Sequence, residues 1–139
     1  MISQRLLATV LWLAAWSTSG AATKSAEPAH VAQGSEISLA DYLVPGKTVV
    51  FDFYSDYCPP CRVYTEPLKA LHASRDDVVV VKVDINRPGV KGIDWKSPVA
   101  RQHEMHSIPA FKVYGPDGTL RADGQAARSA VNDMLKDLR

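Results

Sequence analysis

Two cysteines are all that the 139 residues carry, too few for a disulfide-stapled mini-fold or a four-cysteine zinc site. Excess charge is as scarce. Sixteen Lys and Arg face fifteen Asp and Glu, a formal net charge of +1, which supplies no basic patch and argues against nucleic acid as a partner. Internal repeats and low-complexity blocks are absent. An apolar run long enough to cross a bilayer is absent too. The stretch Leu6 to Trp16 would rise only about 16 Å as a helix, roughly half the hydrocarbon thickness. What is present is an ordinary globular composition, 46% hydrophobic and 22% charged, in a length that holds one compact core.

The N-terminus reads as an address. Arg5 gives a positive start, Leu6 to Trp16 an apolar centre, and Ser17 to Ala22 a run of small residues with exits after Ala21 or Ala22, the pattern of a secretory signal. No cysteine lies near that exit, which excludes a lipid-modified N-terminus. The expectation is a signal peptide over 1–22, a flexible leader over 23–35 and one domain over 36–139, in a periplasmic or otherwise exported protein. An uncleaved membrane anchor is the less favoured alternative.

Along the domain, Ser38 to Leu43 reads as a short Ser-capped helix ended by Pro45-Gly46. Thr48 to Tyr54 and Val78 to Ile85 are apolar, β-branched runs, the mark of strands buried on both faces. Between them Pro60 to Ser74 reads as a helix with Pro67 inside it, which makes a right-handed βαβ unit with a parallel strand pair. A Gly-rich loop, Asn86 to Lys96, carries Trp95. Ser97-Pro98 opens a short helix to about Met105, Ala110 to Tyr114 and Thr119 to Asp123 form a hairpin about Pro116-Asp117-Gly118, and Gln125 to Leu138 closes as an amphipathic helix. The fold class is an α/β sandwich with a central mixed sheet flanked by helices.

Cys58-Pro59-Pro60-Cys61 sits where a buried strand gives way to a helix. The unpaired N–H groups and dipole of a helix start favour a thiolate on the first cysteine. Cys58 is then the exposed, attacking nucleophile, and Cys61, one turn inside, resolves the mixed disulfide. As a mere staple, so short a ring constrains little chain. Metal binding competes as a reading, with Cys58, Cys61 and His106 as ligands and His103 beside them. The plainer reading makes His103 and His106 a solvated helix end, and the favoured reading has no metal and no cofactor. His30 and His72 read as surface residues. Asp52 is out of place in an apolar strand. Burial raises a carboxylate's pKa and suits it to take a proton near neutrality.

The run Phe51 to Arg62 (FDFYSDYCPPCR) resembles the active-site segment of the thioredoxin family, and Ser107-Ile108-Pro109-Ala110-Phe111 is similar to that family's cis-proline segment. Gly118 and Gly124 fall where its late glycines do, and the similarity spans roughly residues 36–138. The resemblance implies a thioredoxin-like three-layer sandwich and a redox disulfide between Cys58 and Cys61. It implies Asp52 as general base for Cys61, Lys82 as partner of Asp52, and a cis bond before Pro109. Tyr57, Pro59, Pro60 and Ile108 are the expected substrate-binding residues. Four departures stand out: Tyr57 replaces a tryptophan, Pro59-Pro60 replaces Gly-Pro, and Pro67 lies one residue late. About eight extra residues near 91–98 are the fourth, with Trp95 as their expected contact residue.

The expected function is an exported thiol-disulfide oxidoreductase of the protein-disulfide reductase type. Ile108 and the uncharged Pro59-Pro60 pair favour the reducing direction, since strong oxidants stabilise the thiolate. An oxidase or isomerase on the same fold is the alternative. Expected partners are exported proteins with disulfides and, as electron donor, a membrane thiol carrier of the DsbD or CcdA type. A monomer is expected.

Overall fold

The structure is a computed structural model that describes residues 20–139; the expected signal, apart from its last three residues, lies outside the described residues. Five strands and three helices follow in the order β1 (Ala29–Val31), β2 (Thr48–Tyr54), α1 (Pro59–Ser74), β3 (Val78–Asp84), α2 (Pro98–Gln102), β4 (Ala110–Tyr114), β5 (Leu120–Asp123) and α3 (Gly124–Lys136). A 3-10 turn, Leu39–Tyr42, lies between β1 and β2. It stands where the sequence suggests a short capped helix, but the Ser38 side chain makes no cap hydrogen bond.

The sheet order is β1-β3-β2-β4-β5. β2 and β3 pair in parallel, as the expected βαβ unit requires, and β4 runs antiparallel to β2, giving the mixed sheet. Strand alternation sorts the side chains. Phe51, Phe53, Val79, Val81 and Val83 pack with Leu39, Val44, Val99 and Ala100 on one face. Val50, Val78, Val80, Phe111 and Val113 pack with Leu68, Leu71, Ala127 and Val131 of α1 and α3 on the other. The three phenylalanines are essentially unexposed, and each such burial is worth about 1.5–3 kcal/mol.

Residues 23–35 differ from the leader expected there. Ala29–Val31 pair in parallel with Val81–Val83, adding an edge strand that a polar, Pro-containing stretch does not announce. The segment before it is strapped to the end of α1. Lys24 Nζ donates to the carbonyls of His72 (2.5 Å) and Arg75 (2.7 Å). His72 is fully buried, not a surface residue as expected. Its Nδ1 accepts from the Val80 N–H at 3.0 Å and its Nε2 lies 2.9 Å from the Ser25 carbonyl. The accepting role of Nδ1 places the proton on Nε2, so one neutral tautomer serves both bonds.

After β1 the chain turns through Gly34, at φ +81°, where a Cβ would come within 2.6 Å of the Arg87 backbone nitrogen. Only glycine fits that approach. The Gly34 N–H donates to Asp84 O and its carbonyl accepts from Val99 N–H, both at 3.0 Å. These bonds tie β1, the end of β3 and the start of α2 together beside the site.

Candidate active site

β2 delivers Asp52 and Tyr54 to the end of the sheet, and α1 begins shortly after it. Cys58 is the N-cap of α1, with Pro59 and Pro60 in the first helical turn, where a missing N–H removes only donors that would be unpaired anyway. The first N–H available inside the helix is that of Cys61. It donates to Cys58 Sγ at 3.2 Å. The two cysteines are joined as a disulfide, their Cα atoms 5.3 Å apart.

Cys58 is not the exposed sulfur that a helix start suggests. Both cysteines are only 2% exposed. They cluster with the Tyr54 side chain, and Ile93 and Ile108 pack against that cluster. Ile108 belongs to the expected docking segment, whereas Ile93 comes from the long loop after β3. Trp95 is the contact residue expected of that loop, but it is Ile93 that packs on the disulfide cluster. A side chain in the middle of an irregular loop carries no sequence signal for this placement.

The Ile108–Pro109 peptide bond is cis, as the resemblance implies. The Ile108 carbonyl lies 3.7 Å from Cys58 Sγ, and the Pro109 carbonyl accepts from Arg128 Nη2 at 2.5 Å. Arg128 reads from sequence only as a polar residue off the apolar face of α3, and its role beside the proline loop emerges from the fold alone. Tyr57 stands 47% exposed next to the disulfide. Its N–H donates to Ser55 Oγ at 3.2 Å, and the Cys58 N–H donates to the Ser55 carbonyl at 3.1 Å.

Beside Tyr54 lies a buried charged pair. Asp52 is fully buried and Lys82 nearly so, side by side in the β2–β3 register with Nζ 3.4 Å from Oδ2. Burial pushes the Asp52 carboxyl up from 3.8 to about 6, against the opposing pull of the Lys82 ammonium. Beyond this ion pair neither carboxylate oxygen makes a hydrogen bond among the described residues. Lys82 Nζ also sits 4.3 Å from the centre of the Tyr54 ring, a cation–π contact. The Tyr54 hydroxyl lies 2.9 Å from His30 Nδ1. His30, on a strand that reads from sequence as leader, therefore has a site residue as its partner. The Tyr54 hydroxyl is pushed far up by its burial and by Asp84, Asp56 and Asp52.

The structure does not bring His106 to the cysteines. It lies exposed in a groove of about 480 Å³ with Trp95, Arg101, Glu104 and Met105. Its neighbour His103 packs on Phe53, ring centres 5.0 Å apart, and its imidazole is held below its ordinary pKa by burial and by Lys112. No group of three or more His, Cys, Asp or Glu side chains converges among the described residues. α2 ends at Gln102, short of Met105, and Glu104 follows at φ +52°.

A cysteine pair at a helix start with a cis-proline loop against it can exchange a disulfide with another molecule. The family model described as Thioredoxin matches residues 36–137. The chain belongs to the thioredoxin family.

Thioredoxin from Chlamydia trachomatis is 32% identical over 103 residues, covering 74% of this chain and 85% of that protein. Thioredoxin F1 of Arabidopsis chloroplasts is 36% identical over 67 residues, or 48% of this chain and 34% of that protein, so the match spans about a third of that relative. Among solved structures, thioredoxin f2 of Chlamydomonas reinhardtii superposes with a TM-score of 0.54 at 25% identity over 79% of this chain and 95% of its own. The short form of spinach chloroplast thioredoxin F gives 0.54 at 17% identity over 85% and 98%, a likeness of fold. The chain is thus a thioredoxin-family redox protein with a paired Cys58 and Cys61, on the three-layer sandwich expected of it.

Proposed function

We propose that the protein is an exported thiol-disulfide oxidoreductase that reduces disulfides in partner proteins. The observation that carries the reading is the Cys58–Cys61 disulfide at the start of α1, with the Ile108 carbonyl of the cis-Pro109 loop beside it. In the reduced protein, the Cys58 thiolate attacks a partner disulfide and forms a mixed disulfide, releasing one partner thiol. Cys61 then loses its proton to Asp52, attacks Cys58 Sγ and releases the second thiol, leaving the internal disulfide. Lys82 holds Asp52 ready to ionise near neutrality. Tyr57, Pro59, Pro60 and Ile108 border the reacting sulfur and offer the partner chain its contact surface, with Trp95 at a further edge.

The reducing direction is supported by what surrounds Cys58. Pro59 and Pro60 donate no N–H and carry no charge, so the Cys61 N–H is the one hydrogen-bond donor to Cys58 Sγ among the described residues. The Ile93 and Ile108 side chains add apolar cover. A thiolate held so sparingly favours the disulfide form and hence a reductant. Export rests on the N-terminal pattern of residues 1–22. No helix among the described residues is long and apolar enough to cross a membrane. A reductant outside the cytosol requires electrons from within, which points to a membrane thiol carrier of the DsbD or CcdA type as donor.

Cys61→Ser in the full chain, expressed in its own cell envelope, should accumulate mixed disulfides through Cys58, and the purified wild type should reduce insulin when supplied with a dithiol. Equilibration with glutathione should give a potential nearer the roughly −270 mV of thioredoxin than the roughly −120 mV of DsbA. A potential at the DsbA end would replace the reductase by an oxidase. No trapped partner and no insulin turnover, with both thiols accessible, would reject both.

A further inference from the structure

The loop between β3 and α2 is the part of this chain with extra length, yet it is tightly built. Asn86, buried at its root, uses its whole side-chain amide. Its Oδ1 accepts from Ser55 Oγ (2.7 Å) and from the Asp94 N–H (3.2 Å), and its Nδ2 donates to the carbonyls of Val90 (3.2 Å) and Gly92 (2.7 Å). An amide has two donors and one acceptor oxygen with two lone pairs, so its capacity is filled. Asp94, only 4% exposed, accepts from Arg87 Nε at 2.7 Å and Nη2 at 3.0 Å. Ile93 is thus held between two fixed residues. Gly92 has its carbonyl bound to Asn86, and Asp94 has both its N–H and its carboxylate occupied. The same Asn86 oxygen holds Ser55, whose hydroxyl and carbonyl receive the N–H groups of Tyr57 and Cys58.

We propose that Ile93, fixed by Asn86, is a positioning residue that sets the redox poise of the Cys58–Cys61 pair by keeping water from the thiolate. The inference deepens the reading of the pair as a reversible dithiol and rests on it. Reduction converts a neutral disulfide into a thiol and a thiolate. An apolar side chain packed against the pair penalises the charged product, whereas the helix start and the Cys61 N–H favour it. The balance between Ile93 and these donors decides how readily the pair gives up electrons.

In the measured exchange, the thiolate of one glutathione attacks the Cys58–Cys61 disulfide and forms a mixed disulfide with one sulfur, expelling the other as thiolate. A second glutathione thiolate then displaces the protein sulfur, giving oxidised glutathione and the reduced protein. Two glutathione thiols are oxidised for each disulfide reduced.

The test compares wild type, Ile93→Ala, Ile93→Leu and Asn86→Ala as full chains, each checked for the native circular dichroism spectrum. Ile93→Ala should move the equilibrium with glutathione about tenfold toward the reduced protein, equivalent to about 30 mV for a two-electron couple, and should lower the pH at which the Cys58 thiolate absorbance appears. Ile93→Leu, which keeps an apolar cover, should stay near wild type. Asn86→Ala releases the Val90 and Gly92 carbonyls and the Asp94 N–H that fix the loop without adding a charge beside the cysteines, so it should shift the equilibrium in the same direction. Should Ile93→Ala fail to fold, Asn86→Ala decides. An equilibrium and thiolate titration unchanged in the folded variants overturns the proposal. Insulin reduction by the wild type is measured alongside, so failure of the reductase reading appears there and not in the glutathione comparison.

Discussion

Replacing Asp52 by asparagine removes a charge from the interior without changing the side chain's size, and its effect should depend on pH in a calculable way. The carboxyl is raised from 3.8 to about 6 because burial outweighs the attraction of Lys82. Between these two pH values the folded protein keeps a proton on Asp52 that the unfolded chain has already released. Stability therefore falls as pH rises through this window and levels off above it. The full difference corresponds to about 3 kcal/mol, with no discount for solvent because Asp52 is fully buried. The amide that takes its place cannot titrate. Lys82 is left without its counter-charge in the variant, which lowers the variant's stability as a whole.

Urea unfolding of both oxidised proteins at intervals from about pH 3.5 to about pH 7.5 gives the measurement. The stability of wild type minus that of Asp52→Asn should decline by about 3 kcal/mol across the range, most steeply between about pH 4 and about pH 6. A difference that stays flat, or that grows with pH, would show that Asp52 ionises as freely in the fold as in the open chain. The reasoning about Asp52 as a proton acceptor would then fail with it. In the same pair of proteins, release of the mixed disulfide should slow by about 100-fold at neutral pH, the lower end for loss of a general base.

Leu68 is fully buried between α1 and the sheet, so Leu68→Ala should destabilise by about 2–5 kcal/mol in urea titration. His72→Ala should cost about 2–4 kcal/mol by the same assay, because it strands the Val80 N–H and frees the Ser25 carbonyl. The Arg87 guanidinium holds the Asp94 carboxyl below its ordinary value of 3.8. The clamp therefore contributes stability above that value that is lost as pH falls through the lower one. Hydrogen exchange at the backbone of residues 87–94 should accelerate there before the sheet opens. Trp95→Ala should raise the KM for a protein disulfide severalfold while leaving reduction by glutathione unchanged.

The parts of the fold that stand out in the sequence are those whose physics is local. β2 and β3 announce themselves as β-branched runs, α1 by the cysteine motif and the prolines within it, the hairpin by Pro116-Asp117-Gly118. The pairing of Asp52 with Lys82 and the cis bond at Pro109 follow from the resemblance, and the geometry has both. Elements held by distant partners are hidden. β1 is three residues in a polar stretch, and nothing in Ala29-His30-Val31 reveals that β3 waits beside it. His72 looks like a polar residue late in a helix until Ser25 and Val80 are placed on its two nitrogens. Ile93 and Asn86 sit in a loop without periodicity, so which of its side chains turns toward the disulfide depends on hydrogen bonds that close only in the fold.

The rims of the sheet have a further consequence. One is β1, only three residues long, and the other is β5, four residues long beside a register shift at Val113 and Tyr114. Neither offers more than a few unpaired backbone groups in line, and the β5 rim carries Arg121 and Asp123, with Lys112 clasping the latter. Templating of a foreign strand needs a long, flat, open edge. Both rims of this redox protein's sheet are thus closed to a partner chain that would add itself as a further strand.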